Sequence, residues 1–179
     1  MRRLRHLGGE VPSTTMRTIA IHRTVAEDWA DMFALVLDIE RYPQFVPGCT
    51  HERIYARREI RPGCTEIISR MTVGVPPLQF GYTNRTLGDR DARRITVDST
   101  DGPLRNLQVS WQFDPLGPAR TQIDFSANYE FHNPIVARLA AGAFESLFRR
   151  TIDAFERRAR LRAPLARGFS LAADVGPSS

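Results

Sequence analysis

Residues 106–131 read NLQVSWQFDPLGPARTQIDFSANYEF, and residues 132–162 read HNPIVARLAAGAFESLFRRTIDAFERRARLR. The first half has a period of two. Leu107, Val109, Trp111 and Phe113 alternate with Asn106, Gln108, Ser110 and Gln112. Ile123, Phe125, Ala127, Tyr129 and Phe131 alternate with Gln122, Asp124, Ser126, Asn128 and Glu130. Such alternation predicts two half-buried strands with one apolar and one wetted face, and Asp114-Pro115-Leu116-Gly117-Pro118 turns one strand into the other. Beyond Phe131 the period changes. Asn133 suits a helix cap, and Pro134 suits the first helical position, where a missing N–H costs nothing. Val136, Leu139, Ala140, Ala143, Phe144, Leu147, Thr151 and Phe155 then form one broad apolar stripe of a helix that runs to about Arg162, roughly 43 Å at 1.5 Å per residue. A helix this long with a single apolar side requires a sheet to lie on.

Working outward, Arg17 to Thr24 reads as a strand. Ala26 to Leu37 reads as a helix, with Trp29, Met32, Phe33 and Val36 on one face. Residues 38–49 contain two prolines, which exclude one regular helix and leave room for short helical turns. Strand-like runs follow at about 50–60, 64–74, 78–87, 92–99, 105–113 and 121–131, punctuated by Arg61-Pro62-Gly63, Val75-Pro76-Pro77, Gly88-Asp89 and Asp101-Gly102-Pro103. Breaks this short make an antiparallel meander. The expectation is an α+β domain: a curved antiparallel sheet of about seven strands wrapped around a long C-terminal helix. An apolar cavity is expected between them, closed by the 38–49 segment. Residues 16–162 form this domain. Residues 1–15, which mix arginine with Gly, Pro, Ser and Thr, are expected to be a disordered leader, and residues 163–179 a disordered tail.

Composition narrows the chemistry. The 179 residues carry a net charge of +5, and all 25 basic residues are arginine. Without lysine there is no Schiff-base or P-loop lysine chemistry. The leader holds three arginines against Glu10, and residues 16–162 hold 21 arginines against 18 acids, a net of only +3. On the last helix, Glu145–Arg149, Arg149–Asp153, Asp153–Arg157 and Glu156–Arg160 stand at i,i+4 and predict a solvated, largely neutralised face. Arg149-Arg150 and Arg157-Arg158 remain as small basic doublets. Cys49 and Cys64 are expected to be free thiols, as in a reducing compartment. No apolar run reaches the length of a membrane span and no signal-peptide core is present, so the expected location is the cytoplasm.

No nucleophile elbow, metal-binding histidine pair, Walker loop or dinucleotide fingerprint occurs, and no metal or cofactor is implied. His6, His22, His51 and His132 are scattered, and the carboxylates fall mostly at outward strand positions, turns and helix faces. What the cavity offers instead is aromatic and aliphatic surface with few polar tips. The expected ligand-binding residues of cavity and lid are Tyr42, Pro43, Phe45, Val46, Phe80, Tyr82, Leu107, Trp111, Phe125, Tyr129, Leu139, Phe144 and Leu147. They favour an apolar, elongated ligand and a protein that binds rather than catalyses.

Residues 38–49, DIERYPQFVPGC, resemble the D-[IV]-E-x-Y-P-x-F-[LV]-P-x-C signature of the coenzyme Q-binding START-domain family. Tyr82-Thr83-Asn84-Arg85 is similar to its Y-[TS]-[SN]-R strand. Gly102-Pro103-Leu104-Arg105-Asn106-Leu107 with Trp111-Gln112-Phe113 resembles its G-P-F-x-x-L…W-x-F block, and Ala154-Phe155-Glu156-Arg157-Arg158-Ala159 the close of its last helix. Gly48 stands where that family often has tryptophan, and Leu104 where it has phenylalanine. The family lies in the polyketide cyclase/dehydrase-like (SRPBCC, helix-grip) superfamily and includes bacterial ribosome-association toxins. The resemblance implies a START/Bet v1-like helix-grip fold without catalysis. It implies a carried polyprenyl quinone such as ubiquinone, with contacts to the inner membrane or respiratory enzymes. Two alternatives follow from the same superfamily. One is a ribosome-directed factor that blocks subunit joining, with the ribosome as partner. The other is a polyketide-type aromatase/cyclase in which Tyr82, Arg70 or His132 assists proton transfer, although parity places Arg70 on the outer face.

Overall fold

Seven strands form where the period of two is strongest, each ended by turn residues that cannot extend it. The structure, a computed structural model, describes residues 16–75, 78–99 and 101–167; the expected leader and residues 168–179 lie outside them. The strands are β1 (Arg17–Val25), β2 (Cys49–Arg61), β3 (Cys64–Val75), β4 (Leu78–Asp89), β5 (Arg94–Ser99), β6 (Leu104–Gly117) and β7 (Arg120–Phe131), with α1 (Trp29–Leu37) and α2 (Pro134–Arg167). They make one antiparallel sheet in the order β1-β7-β6-β5-β4-β3-β2. The meander from β2 to β7 is thus completed by β1 pairing beside β7, with Ile21 opposite Phe125. The α+β helix-grip architecture expected from the sequence is the architecture observed.

Both helices begin at side-chain caps. The Asp28 carboxylate accepts the Ala30 N–H at 2.8 Å, so α1 starts at Trp29 rather than Ala26. Ala26 and Glu27 form a bend before it, and Thr121 Oγ1 donates to the Glu27 carbonyl at 2.7 Å. Asn133 Oδ1 accepts the Ile135 N–H at 2.8 Å at the head of α2, as its capping role requires. Helix α2 continues to Arg167, past Arg162 and into the stretch expected as tail. Its buried stripe also drifts from the expected one. Ile152, Ala154, Phe155 and Ala159 are buried, Phe148 is half-buried against Phe125 and Tyr129, and Ala143 is exposed.

Helix α2 lies against β7, β1 and α1, while α1 lies against β5 and β6. Phe155 sits at the junction, its ring 5.3 Å from Tyr42, 5.1 Å from Phe45 and 5.2 Å from Trp111, all edge-on. Edge-to-face rings at these separations add to the apolar area they bury. On the helix surface, Glu145–Arg149 and Glu156–Arg160 pair as the spacing predicts. Asp153 differs. It pairs with Arg23 of β1 at 3.7 Å, so it joins helix to sheet instead of neutralising its helical neighbours.

Candidate functional site

The 38–49 segment folds as a 3-10 turn over Ile39–Gln44 followed by a tight descent into β2. Tyr42 organises it. Its carbonyl accepts the N–H groups of Phe45 and Val46 at 3.1 and 2.8 Å, and its hydroxyl donates to the Val36 carbonyl at the end of α1. Gly48 adopts φ +77°, a conformation that favours glycine, and its carbonyl accepts the Gly74 N–H at 2.8 Å. Helix α2 holds the segment from the other side. Arg162 reaches Asp38 at 2.9 Å, Arg158 reaches Gln44 at 3.0 Å, and the Arg158 guanidinium lies over the Phe45 ring at 5.5 Å. The segment expected to close the interior is thus fastened to both helices.

The expected aromatic residues fall into two ring groups bridged by Phe148, which meets both Phe125 and Tyr129. Tyr42, Phe45 and Trp111 converge on Phe155, and Phe125 stands 4.9 Å from Trp111. Tyr129 and Phe144 stack at 5.5 Å in a second ring cluster with Phe131 and Phe148. Leu107 is buried on β6, and Val46 and Leu147 are half-buried. Pro43 is exposed on the turn, and Phe80 is 48% exposed at the beginning of β4. Leu139 belongs to α2, and its side chain lies outside the described ones. A separate groove of about 390 Å³ beside α1, lined by Phe33, Leu37, Arg57, Arg90 and Arg162 among others, contains none of the expected residues.

The remaining part of the inner face, across β2, β3 and β4, is polar in a way the sequence reading did not anticipate. Glu52 stands opposite Met71, which stands opposite Tyr82; Ser69 stands opposite Asn84. Both carboxyl oxygens of Glu52 are shielded from solvent without a hydrogen-bond partner of good geometry among the described residues, as is Asn84 Oδ1. Burial pushes the Glu52 carboxyl up to about 7, with the Ser69 hydroxyl pulling the other way. The same burial, reinforced by Glu52, pushes the Cys49 thiol up to about 12. It also raises the Tyr42 and Tyr82 hydroxyls, again with contributions from Glu52 and Cys49. Charged forms are disfavoured throughout this cluster.

Glu52 was missed because a β-bulge separates Cys49 from His51. The extra residue reverses which parity faces inward, so beyond it the Glu52 and Ile54 positions, not their neighbours, face the interior. Asn84 was legible, since it shares the parity of Tyr82 on an unbroken strand.

Other polar groups point away from this interior. Arg70 is exposed on the outer face, reaching Thr83 and Asp101 at 3.3 and 3.5 Å, and His132 is exposed before α2. Glu66, 3% exposed, is covered on the outer face by Arg58 and Arg85, whose guanidinium groups hold its carboxyl below the usual range. Among the described residues no group of His, Cys, Asp and Glu side chains is arranged to hold a metal ion, and no helix is long and apolar enough to cross a membrane.

Comparison with known proteins places this geometry in a family. The model described as polyketide cyclase/dehydrase and lipid transport matches residues 25–156. The ribosome association toxin RatA of Escherichia coli is 32% identical over 133 residues, covering 72% of this chain and 78% of that protein. The mitochondrial coenzyme Q-binding protein COQ10 homolog B of Xenopus laevis is 27% identical over 151 residues, covering 79% of this chain and 59% of that protein. Among solved structures, the Zhui aromatase/cyclase from a Streptomyces species superposes with a TM-score of 0.74 at 21% identity, covering 86% of this chain and 99% of that one. The chain therefore belongs to the polyketide cyclase/dehydrase and lipid transport family, in its START-like helix-grip form with RatA and COQ10 proteins among its relatives.

Proposed function

We propose that this protein binds a hydrophobic lipid, a polyprenyl quinone of the ubiquinone type, between its sheet and α2, and carries it for respiratory electron transport without transforming it. The observation that carries this reading is the inner face itself. Trp111, Phe125 and Tyr129 line it with large rings packed against Phe155, Phe148 and Phe144 of α2, beside a small set of polar tips on β2–β4, and the Tyr42 segment covers one end. A face of that composition matches a ligand with a long apolar body and one polar end. The 27% identity to a coenzyme Q-binding protein supports the choice of lipid. The partners are then the inner membrane surface and the enzymes that accept the quinone, with the protein itself in the cytoplasm. The test is titration of lipid-stripped protein with a short-tailed quinone, followed by quenching of tryptophan fluorescence. Saturable quenching is expected, and its absence contradicts the reading.

A ribosome-directed role is favoured by one specific observation, the 32% identity to RatA. The exposed Arg149-Arg150 doublet on α2 is the surface it would use. Sucrose-gradient profiles after expression separate the readings: a quinone carrier leaves the ratio of free subunits to joined ribosomes unchanged. A shift abolished by neutralising Arg149 and Arg150 supports the ribosomal role.

A further inference from the structure

The inner face of β2–β4 carries hydrogen-bonding capacity that the protein does not fill, and the unfilled groups are acceptors. They are the two carboxyl oxygens of Glu52 and Oδ1 of Asn84, all shielded from solvent. The Ser69 hydroxyl turns toward Glu52 without filling its acceptor capacity, and the tyrosine and thiol donors around them are committed elsewhere. The Tyr82 hydroxyl donates to Met71 Sδ at 3.2 Å, the Tyr42 hydroxyl to the Val36 carbonyl, and the Cys49 thiol to the His51 carbonyl at 3.8 Å. Buried acceptors without donors are costly, and they persist where something outside the chain satisfies them.

Position along β4 supplies the approach. Phe80, Tyr82 and Asn84 share one face of an unbroken strand, and exposure falls from 48% at Phe80 to 7% at Asn84. An apolar body seated along this row ends beside Asn84 and Glu52, with the Tyr82 ring and Met71 thioether against its head.

We infer that Glu52 and Asn84 receive an aromatic hydroxyl at the head of an otherwise apolar ligand, a phenol or the reduced, quinol form of a quinone. This rests on the proposed apolar-ligand reading and refines it. To the ionised Glu52 carboxylate and Asn84 Oδ1 a quinone offers only further acceptors, whereas a hydroxyl supplies the missing donor; below about pH 7 the protonated carboxyl can itself donate, so the preference is read against pH. The ionised carboxylate is the stronger acceptor, so preference for the hydroxyl rises as pH passes through about 7. The titratable groups facing Glu52 are Cys49 on its own strand, Tyr42 on the 3-10 turn and Tyr82 on β4, all held neutral across that range. From α2, Leu147 approaches the adjacent Gly48.

The test compares 4-nonylphenol with 4-nonylanisole, neutral probes that differ by one hydroxyl hydrogen, by calorimetry at pH 6 and pH 8.5. The phenol is expected to bind the wild-type protein about tenfold more tightly at pH 8.5, a factor in keeping with one hydrogen bond to a charged group, and with a smaller margin at pH 6. Glu52→Gln should erase the pH difference, and Glu52→Leu combined with Asn84→Leu should erase the preference. If the double variant does not fold, the Gln variant's pH profile carries the test alone. Equal binding of the two probes overturns this inference while leaving the apolar-ligand reading intact; binding of neither overturns both. A parallel pair under nitrogen, decylubiquinol against decylubiquinone, separates the sources. A quinol preference assigns the site to a reduced quinone, and a preference confined to nonylphenol assigns it to a simple phenol.

Discussion

Replacing Glu52 by glutamine is expected to make the protein more stable at pH 8 and to leave stability near pH 4.5 almost unchanged. Burial raises this carboxyl from its ordinary 4.5 to about 7. Between those two values the folded chain keeps a proton that the unfolded chain releases. Stability from this group is therefore complete below about pH 4.5, falls as pH rises, and is lost above about 7. Each pKa unit corresponds to about 1.36 kcal/mol. That displacement would give about 3 kcal/mol, and partial solvent access around the stem reduces it to about 2–3 kcal/mol. Glutamine keeps the shape and cannot ionise. Urea unfolding of lipid-stripped wild type and variant, at half-unit steps from pH 4.5 to 8.5, reads the difference directly. The two curves should meet at the acid end and diverge to a plateau above pH 7. In thermal melts the plateau corresponds to about 5–10 °C for a domain of this size. A difference independent of pH would refute the argument, because it would mean that Glu52 ionises as freely in the folded chain as in the unfolded one.

Three further outcomes follow from the packing. Phe155→Ala removes the ring shared by Tyr42, Phe45 and Trp111, and should lower unfolding free energy in urea by about 3–5 kcal/mol; a loss below about 1 kcal/mol would show that the junction collapses without it. Gly102→Ala places a side chain at φ +76° with its Cβ 2.8 Å from the Gly81 carbonyl oxygen. It should cost about 1–3 kcal/mol in the same assay, and a neutral result would show that the turn into β6 yields easily. Tyr82→Ala should weaken uptake of a short-tailed quinone in a fluorescence titration, since it removes ring surface between Phe80 and Asn84. Unchanged uptake would place the ligand elsewhere on the sheet.

Much of the fold was readable because a few residues are unambiguous. The alternation from Leu107 to Phe131, unbroken except by one proline-glycine turn, set the inner face of β6 and β7. Asn133-Pro134 marked the start of α2 to the residue. The start of α1 was misread because Ala26 and Glu27 look helical, yet they form a bend whose Glu27 carbonyl is taken by Thr121, distant in sequence. The stripe on α2 held at Phe144, Leu147, Thr151 and Phe155 but not at Ala143, and it left out Phe148 and Ile152. Phe148 meets the rings of β7 only once the helix is laid across the sheet. At the candidate site the short helical turns of the 38–49 segment were legible from its two prolines, whereas the burial of Glu52 was not. The bulge between Cys49 and His51 turns Glu52 inward, and bulges leave little trace in local composition. What distinguishes Glu52 is the lack of a partner, which appears only when β2, β3 and β4 are side by side.

The central claim is that this interior holds an apolar ligand with one polar, aromatic end. Its most direct test is solvent extraction of the protein purified from its native host, with mass spectrometry of the extract. The account predicts a co-purifying isoprenoid quinone or quinol in amounts approaching one per chain. Protein that is reproducibly lipid-free, and that takes up no quinone or quinol when either is added, would contradict it.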